Sequence, residues 1–412
     1  MPALPTTGPL QDIRVLDLTW VLSGPFCTAT LADLGADVVK LERPPYGDVS
    51  RTTGPIVEGE SGYFFSVNRG KRSISLDLRE EEGKAIFLDL VREFDVLVEN
   101  FTPGSMERLG LGWETLSEVN PRLIYAAISG YGRTGPLRSM PALDVIVQGA
   151  GGVMSVTGEP GRGPVRPGLS LGDITAGLYC TVGVLSAIHE RDRSGRGQLV
   201  DISMLDCQVA IQENAFMRYH ITGELPERLG TRHPTSVPFQ AFETKDGHLV
   251  IALSWGVPNQ WAYLCAELGV PEIIDDPRFH SSAARTRNHA ELEPILQAKF
   301  LTKTTGEWLE SLQKFEIPSG PLNNIEQVTK MPQIADREML QPVPHKVFGD
   351  VLLTNTPVKL SATPGGIRGT SPDMGQHSRE VLAEVLGLDA ARLEDLVARK
   401  VVWEERPEVE LG

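Results

Sequence analysis

The chain has 412 residues, 41% hydrophobic and 23% charged, which is the composition of a globular protein too long for one core, so two domains are expected. Its formal net charge of −15 excludes a general nucleic-acid binder, which needs a basic face, but not a local basic pocket for an anionic cofactor. No apolar stretch reaches the roughly eighteen charge-free residues that a membrane span requires.

Along the chain, Ile13-Arg-Val-Leu-Asp-Leu18 reads as a strand, Phe26–Leu34 as a helix after the Gly24-Pro25 turn, and Asp37-Val-Val-Lys-Leu41 as a second strand. That is a βαβ unit, the building block of a parallel sheet. The pattern recurs: helix Glu81–Phe94, strand Asp95–Val98, short helix Trp113–Val119, strand Leu123–Ile128. Asp144–Met154 and Ile174–Glu190 read as largely buried helices, and Gln198–Ile202 as a further strand. Prolines and glycines between Gly223 and Pro238 mark a linker. A hairpin comes next, turning at Asp246-Gly247, and then helices at Gln260–Glu267, His289–Phe300 and Thr305–Phe315, so that residues 225–330 form a smaller α+β unit. From Met331 the chain is again punctuated by proline and glycine, and it closes with amphipathic helices at Ser378–Leu386 and Ala390–Arg399.

Met1–Asp12 lacks the basic-then-apolar plan of a signal peptide. Cys27, Cys180, Cys207 and Cys265 lie far apart with no CxxC pair. They are expected to be buried free thiols without a redox role, in a reducing cytoplasm, and no metal is expected.

The usual catalytic signatures are absent. Thr19-Trp-Val-Leu-Ser-Gly-Pro25 is not a dinucleotide fingerprint, and its proline removes an amide donor from the loop. No P-loop, nucleophile elbow or zinc-protease helix is present. Basic residues do gather at turns: Lys40 and Arg43 after the second strand, Arg69-Gly-Lys-Arg72, and Arg108 behind Asn100-Phe-Thr-Pro-Gly104. Each alone reads as a solvated surface charge. Together, near the carboxyl ends of parallel strands where α/β sheets bind ligands, they suggest a phosphate-bearing cofactor. A carboxylate, Asp173, stands in Gly168-Leu-Ser-Leu-Gly-Asp-Ile-Thr-Ala-Gly177 just before a predicted helix. Read alone, it fits a helix N-cap.

The ordered set Val15-Leu-Asp-Leu18, Ser23-Gly-Pro, Leu31-Ala-Asp-Leu-Gly-Ala-Asp-Val-Val-Lys-Leu-Glu42, Asn68-Arg-Gly-Lys-Arg-Ser, Val98-Glu-Asn-Phe-Thr-Pro-Gly and Leu171-Gly-Asp173 resembles the class III CoA-transferase family, the group of formyl-CoA transferase and carnitine CoA-transferase. Ile317-Pro-Ser-Gly-Pro321 and Gly375-Gln-His-Ser-Arg-Glu-Val-Leu382 extend the resemblance over nearly the whole chain. It implies an α/β fold: a Rossmann-like large domain with a parallel sheet, built from residues 1–222 and a returning segment 331–412, and a smaller inserted α+β domain, residues 223–330. It also implies an interlocked, ring-like homodimer. Coenzyme A is the implied cofactor, entering as acyl-CoA, with Val21, Arg43, Lys71, Arg72, Asn100, Phe101 and Arg108 lining its site by matched position. Leu22 replaces a glutamine that formyl-CoA transferase places near the acyl group, which argues against formyl-CoA and oxalate.

By the same resemblance Asp173 is the nucleophile. Its carboxylate attacks the donor thioester and forms a mixed anhydride, which CoA thiolate or an incoming acid resolves. At the reference pKa of about 3.9 it would be ionised by about a thousand to one at neutral pH. Amides of the helix start would hold it so, and the flanking glycine would admit substrate. The related 2-methylacyl-CoA racemases use a Gly-His-Asp segment, where this chain reads Ala142-Leu-Asp144. Leucine cannot exchange a proton, and Asp144 is either a second polar group at the site or the cap of the next helix. Gly230-Thr-Arg-His-Pro234 resembles a segment of succinyl-CoA:dicarboxylate transferases. It offers Arg232 and His233 to a distal carboxylate of the acceptor, or forms only an interdomain turn. Ser254-Trp-Gly-Val257 either covers the site or ends a strand. His189, His220 and His377 have no partner spacing.

Overall fold

Six short runs form parallel strands, most of them buried on both faces, as a sheet covered by helices on either side requires. They are β1 (Arg14–Asp17), β2 (Asp37–Glu42), β3 (Arg72–Leu76), β4 (Val96–Glu99), β5 (Ile124–Ser129) and β6 (Leu199–Ser203), and β7 (Val402–Trp403) adds an antiparallel edge. The order is β7-β3-β2-β1-β4-β5-β6. Consecutive residues face opposite layers: Val96 and Val98 pack with one core cluster and Leu97 with the other. The chain winds outward from β1 to β3 and then returns to lay β4 beside β1. The β1/β4 boundary is therefore the topological switch point, where open α/β sheets leave a crevice for ligands.

The computed structural model describes residues 8–253 and 259–407. Ser254-Trp-Gly-Val257, read as a cover or a strand end, lies outside the described residues. The chain separates into two compact units. The first comprises residues 1–154, 166–223 and 333–412, and the second residues 155–165 and 224–332. The short stretch 155–165, which the sequence reading leaves in the large domain, belongs with the second unit. There the hairpin Phe239–Glu243/His248–Ala252 is extended by Ser319–Pro321 and packs on helices around Leu264, Leu296 and Trp308.

In the first unit, α1 (Ser23–Asp33), α2 (Gly62–Asn68), α3 (Glu81–Glu93), α4 (Asp144–Ala150) and α5 (Leu171–Ser194) cover the sheet, and α1, α4 and α5 position the candidate site. α5 begins three residues earlier than expected, so Asp173 lies inside its first turn. Its outer face is also less buried than expected: Leu178, Tyr179 and Val182, with Val145 and Ile146 of α4, are exposed. By length and composition α5 is apolar enough to cross a membrane, although its inner face packs against α1. The sequence reading misses β3, α2 and a two-stranded hairpin, Leu340–His345/Gly349–Thr354. Pro342 and Pro344 lie in that hairpin, where a two-stranded edge tolerates the missing amides.

Candidate active site

The loops leaving β1 and β4 close over the switch point and hold each other. Asn100 donates from Nδ2 to the Trp20 carbonyl (2.9 Å) and the Ser23 hydroxyl (3.1 Å), and its Oδ1 accepts the Trp20 N–H (2.9 Å). The Phe101 ring meets Trp20 edge-on at 6.0 Å. Val21 sits at φ +63°, a costly conformation for a β-branched residue. Its N–H donates to Asp48 Oδ1 (3.1 Å). Asp48 is paired with buried Lys40 (3.0 Å), whose ammonium donates to the Thr19 carbonyl (2.6 Å). Val21, Asn100 and Phe101 thus come together as the sequence reading expects, in a turn fixed by buried charges.

Most of the basic cluster has another use. Lys71 is buried and donates to Asp17 Oδ2 (2.9 Å) and Asn68 Oδ1 (2.8 Å). Burial would raise the Asp17 carboxyl, but Lys71, Lys40 and the Thr19 hydroxyl hold it well below the usual carboxylate range. Arg72 bonds Asp37 through two nitrogens (3.1 and 2.6 Å) and Glu384 through a third (2.7 Å). Of the two residues expected at the cofactor site, Lys71 is fully buried with its counter-charge and Arg72 is partly buried in ion pairs. Lys71 braces the floor beneath the β1 loop, and Arg72 ties β3 to the helix Ser378–Leu386. Arg43 and Arg108 remain exposed, Arg43 with no ion pair among the described residues and Arg108 bonded only to the Ser105 hydroxyl (2.9 Å). Beneath Phe101, burial pushes the Glu99 carboxyl up to about 7, against the Phe101 N–H, Arg133 and the Tyr125 hydroxyl.

Asp173 stands on the face of α5 one turn before Gly177. At Gly177 the helix approaches the start of α1 so closely that a Cβ would lie 2.7 Å from the Ser23 carbonyl. This brings the first turn of α5 to the loop end of α1. Asp144, the first residue of α4, accepts the Gly172 N–H (2.9 Å), both oxygens accept from Gln148 (2.8 and 2.7 Å), and Oδ2 also takes Arg166 (2.8 Å). Of the two readings of Asp144, the structure supports the polar partner: it ties the start of the Asp173 helix and makes no side-chain cap to its own. Gly172 is needed for this packing, since a Cβ would meet Val147 at 2.6 Å.

The ionisation expected of Asp173 is also corrected. Its carboxylate accepts no hydrogen bond among the described residues. Burial pushes its pKa up to about 7, the Asp144 carboxylate adds to the rise, and Arg166 offsets part of it. At neutral pH it is roughly half ionised instead of wholly so. Tyr63 of α2, which sequence reasoning missed, lies in the field of Asp173, Asp48 and Asp144. With burial, they push its hydroxyl up to about 12. Arg166 was missed as well, and the only signal was one of two arginines in a proline–glycine stretch. In the second unit, His233 stacks on Phe239 (centroids 4.8 Å) and its Nδ1 accepts the Thr235 N–H (3.2 Å). Arg232 is half-buried and lowers the pKa of His289, after burial.

A doubly wound sheet, with braced loops at its switch point and an unpaired, half-buried carboxylate on a glycine-flanked helix start, is an α/β framework of the ligand-binding kind. The chain belongs to CoA-transferase family III, whose model matches residues 10–378. It is 43% identical to an acetyl-CoA:oxalate CoA-transferase of Acetobacter aceti, covering 87% of this chain and 91% of that one. It is 38% identical to the mouse succinyl-CoA:glutarate CoA-transferase, over 96% and 90% of the two chains. The crystal structure of a CAIB/BAIF family protein from Brucella suis superposes with a TM-score of 0.82 at 38% identity, covering 92% of this chain and all of that one.

Proposed function

We propose that this CoA-transferase moves CoA from succinyl-CoA or a similar acyl-CoA to a short dicarboxylate, with Asp173 as nucleophile. The observation that carries the reading is the Asp173 carboxylate: half-buried, free of hydrogen bonds among the described residues, and on a helix that packs against the start of α1. In its ionised form it attacks the thioester carbonyl. The C–S bond breaks with its electron pair leaving on CoA thiolate, and an acyl–aspartyl anhydride remains. The thiolate then attacks the aspartyl carbonyl, which releases the first acid and leaves an aspartyl-CoA thioester. An incoming carboxylate displaces CoA again, and the thiolate takes the new acyl group and restores Asp173. No proton is transferred, so partial ionisation costs only a fraction of the enzyme at neutral pH.

The cradle of Val21, Asn100 and Phe101 is proposed for coenzyme A, with Arg43 and Arg108 as exposed cations for its phosphates. Arg232 and His233 are proposed for the distal carboxylate. Dicarboxylates are supported by relatives acting on oxalate and on glutarate. The acceptor preference is thus kept open to oxalate despite Leu22. Leu143, 72% exposed, offers no exchangeable proton, so racemase chemistry gains no support. The exposed apolar faces of α4 and α5 and of the helix Glu213–Thr222, where Phe216, Met217 and Ile221 are exposed, support an interlocked homodimer with the second unit as its inserted small domain. Four buried free cysteines support a cytoplasmic setting.

The test is Asp173→Asn. Transfer from succinyl-CoA to glutarate or oxalate is expected to fall at least about a thousandfold, as for loss of a covalent nucleophile, with the dimer intact by light scattering. Wild-type turnover in this variant would remove Asp173 from the chemistry.

A further inference from the structure

One cation, just before α5, lies beside the two carboxylates Asp144 and Asp173, and no step of the transfer employs it. Arg166 donates to Asp144 Oδ2 through Nε (3.2 Å) and Nη2 (2.8 Å), and Nη2 also reaches the Ser170 hydroxyl (3.1 Å). Those contacts fix one edge of a planar guanidinium. Its other terminal nitrogen, Nη1, makes no hydrogen bond among the described residues, and the side chain is 41% exposed. A guanidinium clamped on one edge holds its remaining N–H groups in a set direction, which suits capture of a planar carboxylate. Ser170, two residues before Gly172, fixes that direction from the same helix start as Asp173.

We propose that Arg166 binds the reacting carboxylate of the acceptor acid and holds it against Asp173 in its CoA-thioester form. The inference rests on Asp173 being the covalent nucleophile. Before reaction, Asp144 and ionised Asp173 together carry two negative charges beside one guanidinium, so the corner repels a further anion. Acylation makes Asp173 neutral. Arg166 then faces one carboxylate instead of two, and its free edge becomes an anion site at the moment the acceptor is needed. The acceptor oxygen forms its bond to the aspartyl carbonyl carbon as the C–S bond breaks and its electron pair leaves on CoA thiolate. One negative charge enters and one leaves. The site therefore selects for the order of events: acyl-CoA first, acid second. Arg232 and His233, proposed for the distal carboxylate, have a different task, so the two assignments are separable.

The experiment uses the full-length enzyme with succinyl-CoA as donor and glutarate, oxalate and acetate as acceptors, for wild type, Arg166→Ala and Arg166→Lys. Acyl-enzyme formation from the donor alone is measured in parallel by hydroxylamine trapping. Loss of one charge-assisted hydrogen-bond partner is expected to raise the acceptor KM about tenfold to a hundredfold in Arg166→Ala. The effect should be similar for acetate and the diacids, because the reacting carboxylate is common to all three. The trapping rate should stay within about twofold, and Arg166→Lys should recover part of the loss. An unchanged acceptor KM in both variants overturns the proposal, as does a fall in trapping equal to the fall in acceptor-dependent turnover. If Arg166→Ala does not fold, the lysine variant decides alone: lower acceptor affinity with intact trapping supports the assignment, and unaltered kinetics refute it. Wild-type enzyme that traps no acyl group at Asp173 instead removes the mechanism beneath it.

Discussion

Two regions of the first unit treat charge in opposite ways. Under the β1 loop, Asp17, Lys71, Lys40 and Asp48 are buried, and each is matched by an opposite charge within 3.0 Å. At the start of α5, Asp144 takes the Arg166 guanidinium, and Asp173 is left without a hydrogen-bond donor among the described residues. The first arrangement spends its charges on position: it holds Thr19 and Val21. The second keeps a carboxylate under-solvated and unpaired, and that is what a nucleophile needs. Rigidity in the cradle and reactivity in the corner both come from carboxylates and cations, separated by whether the pairing is complete.

The largest expected effect breaks the paired side. Lys71→Met leaves Asp17 buried with only the more distant Lys40, and breaking a buried pair costs about 3–5 kcal/mol, to be read as lost stability in chemical denaturation. A loss below about 1 kcal/mol, the scale of an exposed pair, would mean that the pair does not brace the fold. The unpaired side is tested by pH. The folded chain raises the Asp173 pKa from 3.8 to about 7, so folding favours its protonated form. That contribution is fully present below about pH 4, is lost as pH rises toward 7, and is level above it. Asp173→Asn has no such loss and should gain in melting temperature over wild type across that window. Parallel pH curves would contradict the assigned burial. The smallest effect sharpens the cradle. Val21→Gly relieves a positive φ and should change stability by about 1 kcal/mol or less, since glycine's entropy opposes the relief. The same change should raise the KM for acyl-CoA while leaving that for the acceptor acid unaltered.

How much of this was legible depended on distance along the chain. Val15, Leu16, Val38 and Val39 announce β1 and β2 because a strand buried on both faces needs no partner to be recognised. β3 was hidden because its alternation places serines in the core, where Ser73 donates its hydroxyl to Glu42 (2.7 Å). Asp173 was found from a glycine, a helix start and a resemblance that runs through neighbouring residues. Its protonation was not, because burial and the Asp144 carboxylate, from a separate helix, act on it only once folding brings them together. The burial of Lys71 was hidden for the same reason: its partner Asp17 lies 54 positions away, and a basic run looks identical whether its charges face solvent or the core. Arg166 and Tyr63 gave no periodic or spacing signal, since each works through side chains from separate elements.

The most direct test of the central claim is peptide mass spectrometry of the wild-type enzyme quenched after mixing with acyl-CoA, with and without hydroxylamine. A nucleophilic Asp173 predicts a hydroxamate on the peptide that carries it when hydroxylamine is present, and a CoA adduct on the same peptide without it. A labelled peptide elsewhere, or full turnover with no covalent species on Asp173 at any quench time, would contradict it.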